Sequence, residues 1–357
     1  MLSWCDEHDW PARVYQERQR LIRIHAALTP CQRATAESDS AHPMRNPSLI
    51  PAIVLVASTS TQLVTYRQAQ PVQLQVAPAP QPIRELTIFD RQGRIAGTVG
   101  EPGVYAQPAL SPDGTRIAAI RAGDVWVFDV ARRSGAQITA TPDPEGSPLW
   151  SRDGSQIVYR RTGTSQGFVY RKASNGTGPE EQIGQLPGPL TDWSKDGRFI
   201  LGSYDASQTP TKGDVFLLPL AGPIRLVALL ATSATENGGH FSFDGRLVAY
   251  GSDGEVFVRP FNAPAEGVPT VGDATKVSNT DRTLLSPRWR NDGRELYYLS
   301  ADGYMTAVPI TTQPFRAGTP TKLFQVPANF LKGTPGPTAS TDVSGDGQRF
   351  VLLLPAN

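Results

Sequence analysis

Asp192, His240, Arg288 and Asp342 bring two carboxylates, an imidazole and a guanidinium into one series, at intervals of 48, 48 and 54 residues. Each stands four residues before an aspartate that is followed by glycine: Asp196, Asp244, Asp292 and Asp346. A carboxylate beside an imidazole is the material of general acid–base catalysis, which would make a hydrolase or lyase with His240 as acid and base. A carboxylate beside a guanidinium makes a charge-assisted pair, able either to tie structural elements together or to hold a polar ligand. All these uses require that residues some fifty positions apart meet in space, so the elements that carry them come next.

The D-G pairs belong to a repeat: SPDG at 111, SRDG at 151, SKDG at 194, SFDG at 242, RNDG at 290 and SGDG at 344. The turn aspartates Asp113, Asp153, Asp196, Asp244, Asp292 and Asp346 are separated by 40, 43, 48, 48 and 54 residues, near the length of a four-stranded propeller blade. Three residues before each lies an apolar residue, Leu110, Trp150, Trp193, Phe241, Trp289 or Val343. Four residues after come Ile117, Ile157, Ile200, Val248, Leu296 and Phe350, and the run continues with a period of two. That period is a strand's, and D-G between two strands is a hairpin turn in which glycine takes positive φ and aspartate bonds nearby backbone N–H groups. The turn aspartates are therefore structural; spread around a ring, they do not cluster as calcium ligands.

Two further strand-like runs follow most hairpins, as in "DVWVFDVA" then "AQITA". The last unit stops after two strands, while "RELTIFDRQ" at 84–92 and "RIAGTVG" at 94–100 precede the first turn and supply the missing pair. The expected fold is all-β: a six-bladed β-propeller of four-stranded antiparallel blades over 84–357, closed by amino-terminal strands pairing with the carboxy-terminal hairpin. The position four before each turn then lies in the innermost strand and reads Ala109, Leu149, Asp192, His240, Arg288, Asp342. Four consecutive blades are expected to aim titratable groups at the channel, with Arg288 gripping Asp342 bidentately and Asp192 meeting His240. Loops between blades gather on one face, where binding usually resides, and offer Tyr105, Glu145, Asn237 and Phe330 as contact candidates.

Other motifs weigh less. "GTSQG" at 163–167 fits the nucleophile-elbow pattern around Ser165, but it joins two strands and no helix follows. "NGT" at 175–177 reads as a turn. A net charge of +1 gives no field to attract nucleic acid, and Cys5 and Cys31 match no metal-ligand spacing. No cofactor and no metal is called for; a protein or peptide partner and a monomeric chain are expected.

Residues 1–83 read as an extension. Met44 and Arg45 precede the apolar run "LIPAIVLVA" at 49–57 and the small residues Val56-Ala57-Ser58, which suit signal-peptide cleavage. Translation from Met44 implies a periplasmic protein with a signal peptide over 44–58, translation from Met1 a cytoplasmic one. The run is too short to span a bilayer, which takes about 20 residues, so no transmembrane helix is expected. The stretch 59–83, rich in Gln, Ala and Pro, reads as a linker.

The pattern "PALSPDGTRIAAI…DVWVFDV" resembles the WD40-like PD40 repeat of TolB-type propellers, over residues 84–357. "FDRQGRIAGTVGEPGVY", "KASNG", "TDWSKDGRF", "PRWRNDGRELYYLS" and "DVSGDGQRF" are similar to the propeller carried behind the kinase domain of bacterial serine/threonine kinases. The resemblance implies a non-enzymatic extracytoplasmic sensory or protein-binding module, here a detached sensor domain, because no Gly-rich loop, H-R-D or D-F-G motif precedes the propeller. Kinase activity is accordingly not implied.

Overall fold

A computed structural model describes residues 81–356, apart from 164–166, 207–210, 223–225, 266, 280–282, 284–286 and 332–340. The apolar run at 49–57, both cysteines and Ser165 lie outside the described residues.

Among the described residues the strands form six antiparallel sheets, each starting from the strand that ends at a D-G turn. The first blade runs Tyr105–Leu110, Arg116–Arg121, Asp124–Asp129 and Ser134–Gln137; the second runs Glu145–Trp150, Gln156–Arg161, Phe168–Ala173 and Glu181–Gln185. The third runs Leu190–Trp193, Phe199–Ala206, Lys212–Pro219 and Val227–Leu230. The fourth has Glu236–Phe241, Leu247–Ser252 and Glu255–Asn262, its outermost strand being two pieces, Thr270–Val271 and Thr275–Lys276. The fifth has Arg288–Trp289, Glu295–Leu299 and Tyr304–Thr312, edged likewise by Phe315–Ala317 and Thr321–Gln325. The sixth joins Thr341–Val343 and Arg349–Pro355 from one end of the chain to Arg84–Asp90 and Ile95–Gly103 from the other.

The repeated turn closes through its own side chains. Ser111 donates its hydroxyl to Asp113 Oδ1 (2.6 Å) and accepts the Arg116 N–H (2.9 Å), while Asp113 Oδ1 accepts the Thr115 N–H (3.0 Å). The hydroxyl–carboxylate bond recurs at Asp153, Asp196, Asp244 and Asp346. In the fifth blade Arg290 replaces the serine, and Asp292 keeps only the N–H of Arg294 among these bonds (3.0 Å). The Ser151 hydroxyl and the Ser155 donors hold the Asp153 carboxyl down to about 2.

Ring closure is a paired ladder: Leu86 faces Leu353 and Ile88 faces Val351 in antiparallel register. These four side chains pack with Ile117, Ala119 and Phe128 of the first blade, and Phe89, Phe350 and Leu352 pack with Tyr297 and Met305 of the fifth. The core therefore lies between blades, and each fully buried Leu or Phe contributes about 1.5–3 kcal/mol relative to exposure. Arg91 adds an ion pair across the same boundary, its Nη2 lying 2.6 Å from Glu295 Oε1.

Near the channel the inner strands depart from regular pairing. Register breaks fall between Ala106 and Ala109, Gly146 and Leu149, Leu190 and Asp192, and Asn237 and His240. Gln107 and Ser147 take positive φ there (52° and 55°), a conformation that costs a non-glycine residue about 1–2 kcal/mol. Freed backbone groups bond between blades: the Ser147 N–H donates to Gln107 Oε1 (2.7 Å) and the Gly238 N–H to Ser203 Oγ (2.7 Å). Each bulge ends just before the residue expected to face the channel, so it re-aims that side chain.

Candidate functional site

The inner strands of all six blades line one cavity of about 700 Å³, which is the central channel of the ring. Asp192, His240, Arg288 and Asp342 all face it, from the third to the sixth blade.

Their contacts form a continuous row. Arg288 Nε donates to Asp342 Oδ1 (3.0 Å), and Asp342 Oδ2 accepts the backbone N–H of Leu110 in the first blade (2.8 Å). Arg288 Nη1 meets His240 Nε2 in a short hydrogen bond. His240 Nδ1 lies 3.8 Å from Asp192 Oδ2, which accepts the N–H of Phe241 (2.7 Å). The guanidinium thus spans two neighbours, an imidazole and a carboxylate, where a two-pronged grip on Asp342 was expected. A guanidinium has donors only, so His240 Nε2 is the acceptor and the imidazole proton sits on Nδ1, facing Asp192.

Burial sets the charge states. Desolvation, reinforced by the Arg288 charge, holds the His240 imidazole well below its usual range, so it is neutral. Desolvation pushes Asp192 up to about 6 against two backbone N–H bonds and the charge of Arg288. Asp342 is raised by the same cause, opposed first by Arg288. Indole groups tie the wall together: Trp150 Nε1 donates to the Ala109 carbonyl (2.9 Å) and Trp289 Nε1 to that of His240 (3.0 Å).

The loop candidates separate. Asn237 is exposed at the start of its inner strand and lines the cavity. Tyr105, Glu145 and Phe330 do not offer their side chains to the loop face, which corrects the expectation from their place in the sequence. Tyr105 is 3% exposed, packs edge-on against Phe128 and donates to the Glu101 carbonyl (2.6 Å). Glu145 is buried, bonded to the Thr139 hydroxyl and ion-paired with Arg161 (3.4 Å). Phe330, in the short helix Ala328–Leu331, is 0% exposed within the core between the fifth and sixth blades. Aromatic and carboxylate groups at blade junctions are drawn inward because the junction leaves apolar gaps and bare N–H groups to fill.

Sequence reasoning missed the opposite rim. The variable residue of the repeated turn, Pro112, Arg152, Lys195, Phe243, Asn291 or Gly345, faces the cavity in every blade. Its signal was present, as the position in the repeated turn that holds a different residue in every blade. Among the described residues no three His, Cys, Asp or Glu side chains gather as metal ligands, and no helix is long and apolar enough to cross a membrane.

This architecture defines a six-bladed β-propeller with a charged channel, and solved propeller structures are similar to it. The structure of a protein assigned as TolB from Agrobacterium tumefaciens aligns with a TM-score of 0.58 at 17% identity, over 78% of this chain and 100% of that one. TolB from Acinetobacter baumannii aligns at a TM-score of 0.45 and 15% identity (68% of this chain, 65% of that one), and the periplasmic gluconolactonase PpgL of Pseudomonas aeruginosa at 0.43 and 19% (67% and 76%). At 17% identity the likeness to the Agrobacterium structure shows the fold alone. No family model and no curated protein matches the sequence.

Proposed function

We propose that this propeller is a non-enzymatic binding or sensory module of the periplasm, which takes a peptide, protein segment or small polar ligand into its channel from the loop face. The observation that carries the reading is the charged row from Asp192 to Asp342, opening on a cavity of about 700 Å³. Ligand pockets are commonly of about 300–1,000 Å³, with a few convergent polar groups in an otherwise apolar wall. A hydrolase or lyase reading is disfavoured, because a general base needs a free lone pair and that of His240 Nε2 is occupied by Arg288. Periplasmic placement is supported by the export-like sequence after Met44 and a sensory role by the motifs similar to kinase-borne propellers; expression from Met44 with mapping of the mature amino terminus tests the first.

Binding itself is tested by the thermal shift of the full chain against a panel of tripeptides and sugar acids, repeated on Asn237→Ala. Asn237 stands at the loop-face rim and is exposed, so its truncation leaves the fold intact. Compounds that stabilise the protein and lose that effect in the variant support the reading; a panel that stabilises neither protein counts against it.

A further inference from the structure

The turn-face mouth of the channel holds two cations without a bonded carboxylate. Arg152, Lys195 and Phe243 occupy the same place, one residue before the turn aspartate, in three consecutive blades. Lys195 Nζ lies 3.2 Å from the Phe243 ring centroid, and Arg152 Cζ lies 4.7 Å from the same centroid. Neither has a hydrogen-bond or ion-pair partner among the described residues. Some cations of this ring have carboxylate partners, as Arg198 has Asp196, Arg91 has Glu295 and Lys322 has Asp302, while Arg121 lies over the rings of Tyr105 and Trp126; what sets Arg152 and Lys195 apart is that two cations share one ring beside the channel.

Two like charges on one ring repel, and the aromatic quadrupole offsets only part of that. Desolvation first of all lowers the Lys195 ammonium to about 7; among nearby charges Asp192 opposes this most strongly, Arg152 adds to it and Asp244 opposes it. Asp192 and Asp244 act on Lys195 through space, but among the described residues no carboxylate is hydrogen-bonded to or ion-paired with either cation.

We propose that Arg152 and Lys195, held on the ring of Phe243, form a subsite for a ligand carboxylate at the turn-face mouth of the channel. The subsite rests on the binding reading above and specifies the chemistry of one end of the ligand. The Arg152 fork matches a carboxylate, Lys195 adds a point charge, and Phe243, 36% exposed, offers an apolar face to the adjoining carbon. A monoanion fits better than a phosphate dianion, because Lys195 is half-charged near neutrality and Asp192 lies deeper in the same channel.

The test is the titration of the Lys195 side chain by NMR in the full chain, in chloride, acetate and inorganic phosphate at equal ionic strength. Acetate is expected to raise the midpoint by about half a unit or more over chloride, because a bound anion stabilises the ammonium. Arg152→Gln, a change on an exposed turn, is expected to abolish that rise. The same midpoint in acetate and chloride overturns the subsite; a response to phosphate alone overturns its carboxylate chemistry; and a response that survives Arg152→Gln overturns the shared site. A tripeptide acid acting at about tenfold lower concentration than acetate assigns the carboxylate to a peptide end and equal potency assigns it to a small acid, both supporting the subsite. A response to the amidated tripeptide overturns it. If panel compounds still stabilise the protein through Asn237 while the midpoint does not move, the subsite alone is lost.

Discussion

Arg288 Nη1 donates to His240 Nε2, and this contact makes the imidazole a fixed, neutral element of the channel wall. Its other ring nitrogen points towards Asp192 at 3.8 Å, beyond hydrogen-bond reach. The guanidinium is therefore the member on which the row depends, linking the fourth, fifth and sixth blades.

Arg288→Ala is expected to destabilise the fold by about 3 kcal/mol, because Asp342, 15% exposed, loses its countercharge and keeps mainly the Leu110 N–H. Denaturant unfolding measures the loss. Asp342→Asn made in the Arg288→Ala background is expected to recover part of it, since the uncompensated charge is then gone. No recovery would place the cost in lost packing.

The dependence of stability on pH carries opposite contributions from neighbouring blades. His240 stays neutral in the fold, whereas the unfolded chain takes up its proton below about 6.5, so this contribution to stability is lost as pH falls through that value. Asp192 binds a proton in the fold up to about 6. Its contribution is present below about 4, where the unfolded chain also holds the proton, and is lost as pH rises through 6. Thermal midpoints between pH 4.5 and 7.5 are expected to fall less on the acid side for His240→Gln, and more for Asp192→Asn, than for the parent protein. Parallel profiles in all three would contradict both assignments.

The ring and its closure were legible because D-G turns and a period of two are local signals, repeated often enough to be aligned. The row from Asp192 to Asp342 was legible for the same reason: one repeat position maps to one place on the inner strand. What escaped depended on geometry across blades. The sequence reading did not weigh Lys195 and Arg152, which the fold brings together over the ring of Phe243. Tyr105 and Phe330 looked like exposed loop aromatics, yet apolar gaps at blade junctions draw such rings inward.

Closure makes stability depend on residues at opposite ends of the propeller. A chain beginning at residue 84 retains the strand that pairs with Arg349–Pro355, whereas one beginning at residue 101 leaves Phe350 and Leu352 without Phe89 and exposes the outer edge of Arg349–Pro355. The longer chain is expected to unfold near the parent's midpoint and the shorter one many degrees lower. Equal midpoints would mean that the ring holds without its joining strands.

The repeated turn glycine offers a comparison between conformational and steric cost. Gly245 and Gly347 have nearly the same φ, 68° and 67°, so alanine at either position carries the left-handed penalty of about 1–2 kcal/mol. A Cβ on Gly245 meets nothing within 4 Å, while one on Gly347 would stand 1.9 Å from the Tyr297 hydroxyl. That hydroxyl donates to Glu295 (2.6 Å) and accepts from Arg91 (3.0 Å), so moving it disturbs the tie between the fifth and sixth blades. Gly347→Ala is therefore expected to cost about 2 kcal/mol more than Gly245→Ala, from charge-assisted bonds that are strained or lost. Tyr297→Phe in the Gly347→Ala background removes the 1.9 Å contact, leaving a ring carbon at 2.9 Å, and should narrow the gap. If the two glycine variants unfold alike, the tyrosine yields without loss, and the Arg91–Glu295 pair holds that boundary without it.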